Sequence, residues 1–449
     1  MLSEEPVNQE RHSQGMRTFI GVWAGQFLSL LGSSMTSFAL GIWAWQQEGE
    51  AMPLALIGFF TYAPLILVTP FAGVLVDRWN RKWIMILSDL GAGMSTLAIL
   101  GLMLTGSLQL WHIYVLTGIA SACQGFQWPA YSTAISLLVP KEHFGRASGL
   151  IAVAENGSYI LAPILAGIFL GFTGIHWVLI IDLLTCAAAI IILLLIVIPS
   201  INKKITETGE TENLLQRFTF GFRYILERKS LLGLQLVFLG ANFMTVLGYA
   251  VLAPMILARS GNNAQLLGAV QSIAAIGGVL GGLALTFWGG PGKKIYGVLI
   301  GWLLSGLLGR FLTGITASPL VWSASVFMLA FIMPTINGSN QAIWQSKIPL
   351  AYQGRVFSAR RLIAQVSIPL AMLLSGLMAD HIFEPAMQDP GTWLSQTLGF
   401  VFGSGEGSGM SLMITVSGLL VSLVAILGLS SSVIRNINTL IPDNSPQNQ

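Results

Sequence analysis

Charge is what this 449-residue chain has least of. Asp, Glu, Lys and Arg together make up 9% of it, against about 25% in a soluble globular protein. So few charges cannot cover a water-facing surface, which excludes a soluble enzyme. A disordered chain is excluded too, and so is a nucleic-acid-binding domain, which needs a dense basic face. Cysteine is almost as scarce. Cys123 and Cys186 both lie inside apolar runs, so neither a disulfide framework nor a metal-ligand spacing is expected. The five histidines are scattered at 12, 112, 143, 176 and 381, which leaves a polytopic membrane enzyme without a clustered catalytic set. The run from Phe287 to Lys294 (FWGGPGKK) lacks the leading glycine and the Ser/Thr of a phosphate loop. No nucleotide, metal or other cofactor is expected. No charged ring or carbonyl filter speaks for a channel. The polar start of the chain lacks the short apolar core and small-residue cleavage site of a signal peptide.

Apolar residues are what the chain has in excess, at 54%. A helix needs about 20 of them in a row to cross a bilayer. That length picks out twelve spans, near 17–45, 53–76, 83–104, 111–138, 147–171, 175–198, 231–257, 264–288, 295–316, 319–346, 357–380 and 410–434. Placing the N-terminus in the cytoplasm puts 20 of the 22 Lys and Arg on the cytoplasmic side, with Arg360 and Arg361 counted there at the start of the eleventh span; of the other two, Arg259 falls outside and Arg310 within a span. Such a bias follows the positive-inside rule and predicts cytoplasmic termini at both ends of a multi-pass protein of the cell membrane. Arg310 reads as an interfacial anchor, because long basic side chains snorkel. Trp45, Trp83, Trp111, Trp177 and Trp322, near span ends, read as an aromatic belt.

The polar stretch 199–230 separates six spans from six. An offset of 209 aligns Gly73 with Gly282, Pro140 with Pro349, Gly145 with Gly354, Arg146 with Arg355 and Gly167 with Gly376. The repeat is parallel, because both halves have six spans and the same orientation. The expected organisation is a tail over 1–16, a six-helix bundle over 17–198, a linker over 199–230, a second six-helix bundle over 231–434 and a tail over 435–449.

Loop 2–3 runs Gly73-Val-Leu-Val-Asp77-Arg78-Trp-Asn80-Arg81-Lys82. It resembles the signature G-x-x-x-D-R-x-G-R-[RK] of the major facilitator superfamily. Asn80 stands where the signature has glycine; asparagine tolerates left-handed backbone angles, so the turn is expected to survive. The resemblance implies an all-α membrane protein with twelve transmembrane helices in two six-helix bundles, related by a pseudo-twofold along the membrane normal. It implies a conformational latch of Gly73, Asp77, Arg78, Arg81 and Lys82, with Asp77 set against the N-terminal end of the eleventh helix. The stretch FQWPAYSTAISLLVPKEHFGRASGL, Ile181-Asp182 and NGSNQAIWQSKIP look like the macrolide-efflux type of drug:proton antiporter. GSYILAPILAG, from Gly157 to Gly167, is similar to the antiporter signature, with Ala162 and Ala166 in place of glycines.

Ionisable groups inside a membrane are costly and are functional by default. Asp89, Glu155 and Asp182 qualify as proton-coupling candidates; a structural pair or a hydroxyl-capped carboxylate is the competing reading of each. Gln124, Gln127, Tyr131, Asn156, Asn242, Asn337, Gln341 and Trp344 are the candidate lining of a substrate cavity. Positions 124, 127 and 131 share one helical face, as do 337, 341 and 344. Interhelical amide bonding explains any one of these residues equally well. A cavity of amides and aromatics with few charges suits a neutral, cationic or amphipathic organic molecule.

The resemblance implies a functional monomer that exports a hydrophobic or amphipathic small molecule by proton antiport with alternating access, with membrane lipid around it and protons as the coupling ion. Uptake, or lipid-like flipping of a lysophospholipid, is the alternative in the same fold. The Gly-rich segment 381–409 reads either as a connector carrying a short interfacial helix or as a flexible link.

Overall fold

The computed structural model describes residues 5–139, 144–196 and 214–441; within them the side chains of 5–15, 70, 73, 74, 76–78, 136, 137, 144, 145, 148, 152, 214–218, 350, 351, 354 and 438 lie outside what is described. Every regular element among the described residues is helical. The first six helices are α1 (Glu5–Glu48), α2 (Ala51–Arg78), α3 (Arg81–Leu104), α4 (Leu110–Leu138), α5 (Phe144–Phe172) and α6 (Ile175–Leu195). A short helix α7 (Leu214–Glu227) follows, then α8 (Lys229–Tyr249), α9 (Leu252–Arg259), α10 (Ala264–Trp288) and α11 (Lys294–Leu304). A π-helical segment, Ser305–Phe311, joins α11 to α12 (Leu312–Ile315). The chain ends with α13 (Pro319–Lys347), α14 (Leu350–Met378), a second π-helical segment Ala379–Phe383, α15 (Glu384–Gln388), α16 (Trp393–Phe402), α17 (Ser408–Ser430) and two single turns. Eleven spans among the described residues are long and apolar enough to cross a membrane. The twelfth, α4, is 29 residues long but carries His112, Gln124 and Gln127 among its apolar residues.

Local chemistry sets several boundaries. Asn80 caps α3: its φ of −69° and ψ of 116° are extended, and its side-chain oxygen accepts from Lys82 N. The expected left-handed asparagine is therefore not what carries the departure from glycine; a side-chain cap does. Gly174, with φ +82°, separates α5 from α6, a conformation L side chains rarely adopt. Lys82 Nζ donates to the carbonyls of Leu194 (2.9 Å) and Ile196 (2.8 Å), so a cation closes the C-terminal end of α6.

The chain forms two compact units, one of Met1–Glu48 and Phe60–Thr206 and one of Gly49–Phe59 and Glu207–Gln449. In the first, α1 packs on α5 and α6, and α3 on α4 and α6; Phe19, Met85, Ala130 and Ile135 are in its core. In the second, Trp302 and Trp344 are wholly buried, and Phe238 meets Trp302 edge-on at 5.7 Å between ring centroids. There α10 and α13 make a close pair. Gly277 and Gly281 face the backbone of Phe327 and Phe331, whose carbonyls occupy the space a Cβ would need. Small residues four apart permit this approach between membrane helices.

Some expectations change. Trp83, Trp111 and Trp177 are about half exposed, as a belt requires, but Trp45 and Trp322 are buried, and Trp322 Nε1 donates to the carbonyl of Thr316. Arg310 does not snorkel. It is 4% exposed and lies against Gly418, with Nη1 donating to the carbonyl of Ser305 at 3.4 Å. It stands in the π-helical segment, where the wider turn moves it off the face a regular helix would give it. The stretch read as a linker holds α7, which packs on α14 in the second unit. Phe220, Tyr224 and Tyr352 form an aromatic group there, and Arg228 lies 3.5 Å over the Tyr224 ring.

The segment 381–409 is folded. Thr392 caps α16, and Phe402 packs with Met387 and Leu412. Glu384 accepts from the backbone of Met410 (2.8 Å) and Gly407 (3.2 Å) and from Gln388 (2.8 Å). Arg259 donates to the carbonyls of Phe402 (2.5 Å) and Thr316 (3.3 Å). Replacing Glu384 by alanine removes three bonds to one carboxylate, each worth about 1.5–3 kcal/mol. Cleavage by a glutamyl endopeptidase after Glu406 is expected to accelerate at least about tenfold, as timed by gel or intact mass.

Candidate functional site

Two acids of the first unit end up buried among polar partners from neighbouring helices. Asp89 of α3 is 7% exposed. Gln26 of α1 donates through Nε2 to its Oδ2 at 2.9 Å, and Gln127 of α4 donates through Nε2 to its Oδ1 at 3.0 Å. The same Gln127 nitrogen donates to Gln26 Oε1 at 2.7 Å, which closes a triangle. Behind it, Cys186 Sγ of α6 donates to the Asp89 carbonyl at 3.2 Å. A carboxylate removed from water this far costs about 2.5–3.5 kcal/mol at a helix centre, and amide donors offset part of that cost.

Asp182 of α6 is 3% exposed. It accepts from Thr96 Oγ1 of α3 at 2.9 Å and from Ser33 Oγ of α1 at 3.0 Å. Gly32 lets α1 approach here, since the space for its Cβ holds Thr185 and Asp182. The two acids therefore differ in kind: Asp89 is held by amide N–H groups, Asp182 by hydroxyls that can turn to donate or accept. Glu155 of α5 is exposed.

The uncharged candidates separate. On α4, Gln124 is exposed, Gln127 belongs to the Asp89 triangle, and Tyr131 is 7% exposed in the core beside Trp128. Asn156 and Asn337 are exposed and Asn242 is half-buried. Gln341 of α13 accepts from Arg360 Nη2 at 2.8 Å. Trp344, expected in a cavity wall, is wholly buried, with Nε1 donating to Asn340. It belongs to the core because it packs with Ile336, Ile343 and Trp302.

Two site residues were not legible as such. Gln26 looks like an ordinary polar residue in an apolar span until α1 and α3 are brought together. Arg360 counts in the sequence among the cytoplasmic bases at the start of the eleventh span, and it stands ten residues inside α14. Its guanidinium lies 5.3 Å over the Trp344 ring, and Gln235 of α8 donates to its carbonyl.

For the latch, the side chains of Asp77 and Arg78 and the Gly73 position lie outside the described residues. Arg81 is 7% exposed and Lys82 caps α6, as above. A carboxylate does meet a helix N-terminus elsewhere: Asp380, beyond α14, accepts from the backbone of Ala51 (2.8 Å) and Met52 (2.6 Å) in the first turn of α2. This contact lies within the second unit, to which residues 49–59 belong, and it is the favourable end of the helix for an anion.

Known proteins share this architecture. A solved structure of the nucleoside transporter NupG superposes with a TM-score of 0.65 at 15% identity, covering 92% of this chain and 100% of that one. A bacterial homolog of the human lysosomal transporter Spinster, inward-facing and occupied, superposes at 0.68 with 13% identity, covering 96% and 99%. At the level of sequence, "Macrolide efflux protein A" of Streptococcus pyogenes is 28% identical over 384 residues, covering 83% of this chain and 92% of the relative. "Multidrug efflux pump Tap" of Mycolicibacterium fortuitum is 25% identical over 361 residues, covering 78% and 86%. Residues 22–372 match the sequence profile of the Major Facilitator Superfamily. Eleven apolar spans among the described residues, the Gly73–Lys82 signature and this match lead to one conclusion: the chain is a multi-pass membrane transporter of the Major Facilitator Superfamily.

Proposed function

We propose that the protein exports a hydrophobic or amphipathic small molecule across the cell membrane in exchange for protons, as a monomer with both termini in the cytoplasm. The observation that carries the proton half of this reading is Asp89, a carboxylate buried in a span and tied to two other helices. A carboxylate in that setting loads and unloads a proton as its access to the two aqueous sides alternates. Asp182 is assigned a lesser part, because its hydroxyl partners suit a structural acid. The efflux half is supported by the relatives named above and by the amide and aromatic residues of α4 and α13. Exposed Gln124, Asn156 and Asn337, with half-buried Asn242 and Gln341, remain the proposed substrate contacts. Gly73, Asp77, Arg78, Arg81 and Lys82 are proposed to latch the alternating states.

The test is transport in inside-out vesicles containing only the purified protein. With an acidic interior, a macrolide is expected to accumulate above protein-free vesicles and to leave when a protonophore collapses the gradient. No accumulation, or accumulation indifferent to the protonophore, rejects proton-driven export. Accumulation in right-side-out vesicles alone points to uptake instead.

A further inference from the structure

The Asp89 triangle has a property that neither its burial nor its charge conveys. Each of its three sides needs one donor and one acceptor. With Asp89 ionised, all three are satisfied: Gln26 Nε2 faces Oδ2, Gln127 Nε2 faces Oδ1, and the same Gln127 nitrogen faces Gln26 Oε1. Gln127 Oε1 is left over, buried and without a partner.

A proton on either carboxyl oxygen turns that oxygen into a donor. If it sits on Oδ1, Gln127 must present its oxygen. That oxygen also faces Gln26, so Gln26 must present its nitrogen there, which points the Gln26 oxygen at the unprotonated Oδ2. If the proton sits on Oδ2, the same reasoning ends with two acceptors facing each other at Oδ1. No arrangement of the two amides satisfies all three sides around a neutral Asp89. Either one side opens, or the acid hydrogen takes an acceptor outside the triangle. Asp182 has no such constraint, since the hydroxyls of Thr96 and Ser33 rotate to suit either form.

We propose that Gln26 and Gln127 are positioning residues that convert protonation of Asp89 into loosened packing of α1 against α3 and α4. This rests on the proton-coupling reading of Asp89 and says how the proton is read. Among the described residues, the titratable groups packed near α3 include Cys186 and Asp182 of α6, Cys123 of α4, which lies against Gly91, and Tyr131 of α4, which shares a core with Met85 and Ile86.

Hydrogen–deuterium exchange of α1 peptides over residues 19–33, in the full-length protein in nanodiscs, tests the proposal. After correction for intrinsic rates, α1 is expected to exchange about tenfold faster at about pH 5 than at about pH 8, the factor set by loss of roughly one hydrogen bond. Asp89→Asn has the donor count of the neutral acid and is expected to exchange fast at both. Adding Gln26→Glu to Asp89→Asn restores a donor and an acceptor on every side, so slow exchange at about pH 8 returns. Adding Gln127→Glu instead restores the charge but leaves one side with two acceptors, so exchange stays fast.

Identical behaviour of the two double variants, or pH-independent exchange in the wild type, overturns the proposal. Transport separates its failure from that of the reading beneath it. If the exchange pattern holds while Asp89→Asn still shows protonophore-sensitive transport, Asp89 does not couple the proton and the proposal falls with that reading. If Asp89→Asn loses transport while the exchange pattern is absent, proton coupling stands and the triangle mechanism alone is rejected.

Discussion

Asp89→Asn is expected to fold and insert while losing gradient-driven transport by about a hundredfold, the low end of what a positioned proton-transfer group contributes. The substitution is nearly isosteric and strains one side of the hydrogen-bond triangle, so α3 keeps its place. What it removes is the group that titrates. Substrate exchange down its own gradient is expected to survive, because that process needs no proton. Asp182→Asn is the comparison. Its amide oxygen still accepts from Thr96 or Ser33 and its amide nitrogen donates to the other hydroxyl, so transport is expected to remain close to wild type. Parallel assays of driven uptake and of exchange in the same vesicles measure both. Equal loss of driven uptake in the two variants removes the distinction between them.

Gly281→Val is expected to lower the melting temperature of the protein by about 6–12 °C. The valine Cβ would occupy the position of the Phe331 backbone carbonyl on α13. A flexible side chain could move aside, but a backbone carbonyl in a membrane helix cannot, so α10 and α13 must separate along their contact. Overpacking of this kind costs about 1–3 kcal/mol, and more where backbone shifts. With about 3 kcal/mol lost, a unit of 150–250 residues shifts by about 2–4 °C per kcal/mol. Gly282→Val is the internal control. It is the neighbouring residue, in the same helix, and nothing beyond its own stretch of helix lies within 4 Å of the Cβ it would gain. Fluorescence-detected size-exclusion chromatography after a temperature ramp compares the two, and equal melting points reject the close-approach argument.

What was legible in the sequence follows from the range of the physics involved. Spans are legible because the hydrocarbon core demands a fixed length of apolar helix, whatever packs beside it. The Gly73–Lys82 signature is legible because its spacing is local. Lone carboxylates in spans stand out because they are expensive there, and Asp89 and Asp182 are indeed buried among polar partners. The roles of individual polar residues were not legible. Gln124, Gln127 and Tyr131 lie on one face by periodicity, yet one is exposed, one bonds a carboxylate and one is core. Trp322 and Trp45 sit where belt residues sit and are buried instead. Arg310 reads as a snorkelling cation until a π-helical segment turns it inward.

By itself, then, the sequence determined that this is a multi-pass helical transporter of a recognisable family, with basic residues sorted by loop and a short list of acids within the spans, of which Asp89 and Asp182 are buried and Glu155 is exposed. These properties come from the chain's exchange with lipid and water, residue by residue. Only the tertiary structure decided which groups answer one another: Gln26 with Asp89 across 63 positions, Asp182 with Ser33 across 149, and Asp380 with the first turn of α2 across more than 300. The reason is the directionality of the hydrogen bond. Burial is a sum over one residue's own surface, whereas a donor and its acceptor are defined by two residues whose distance in sequence carries no information about their distance in space.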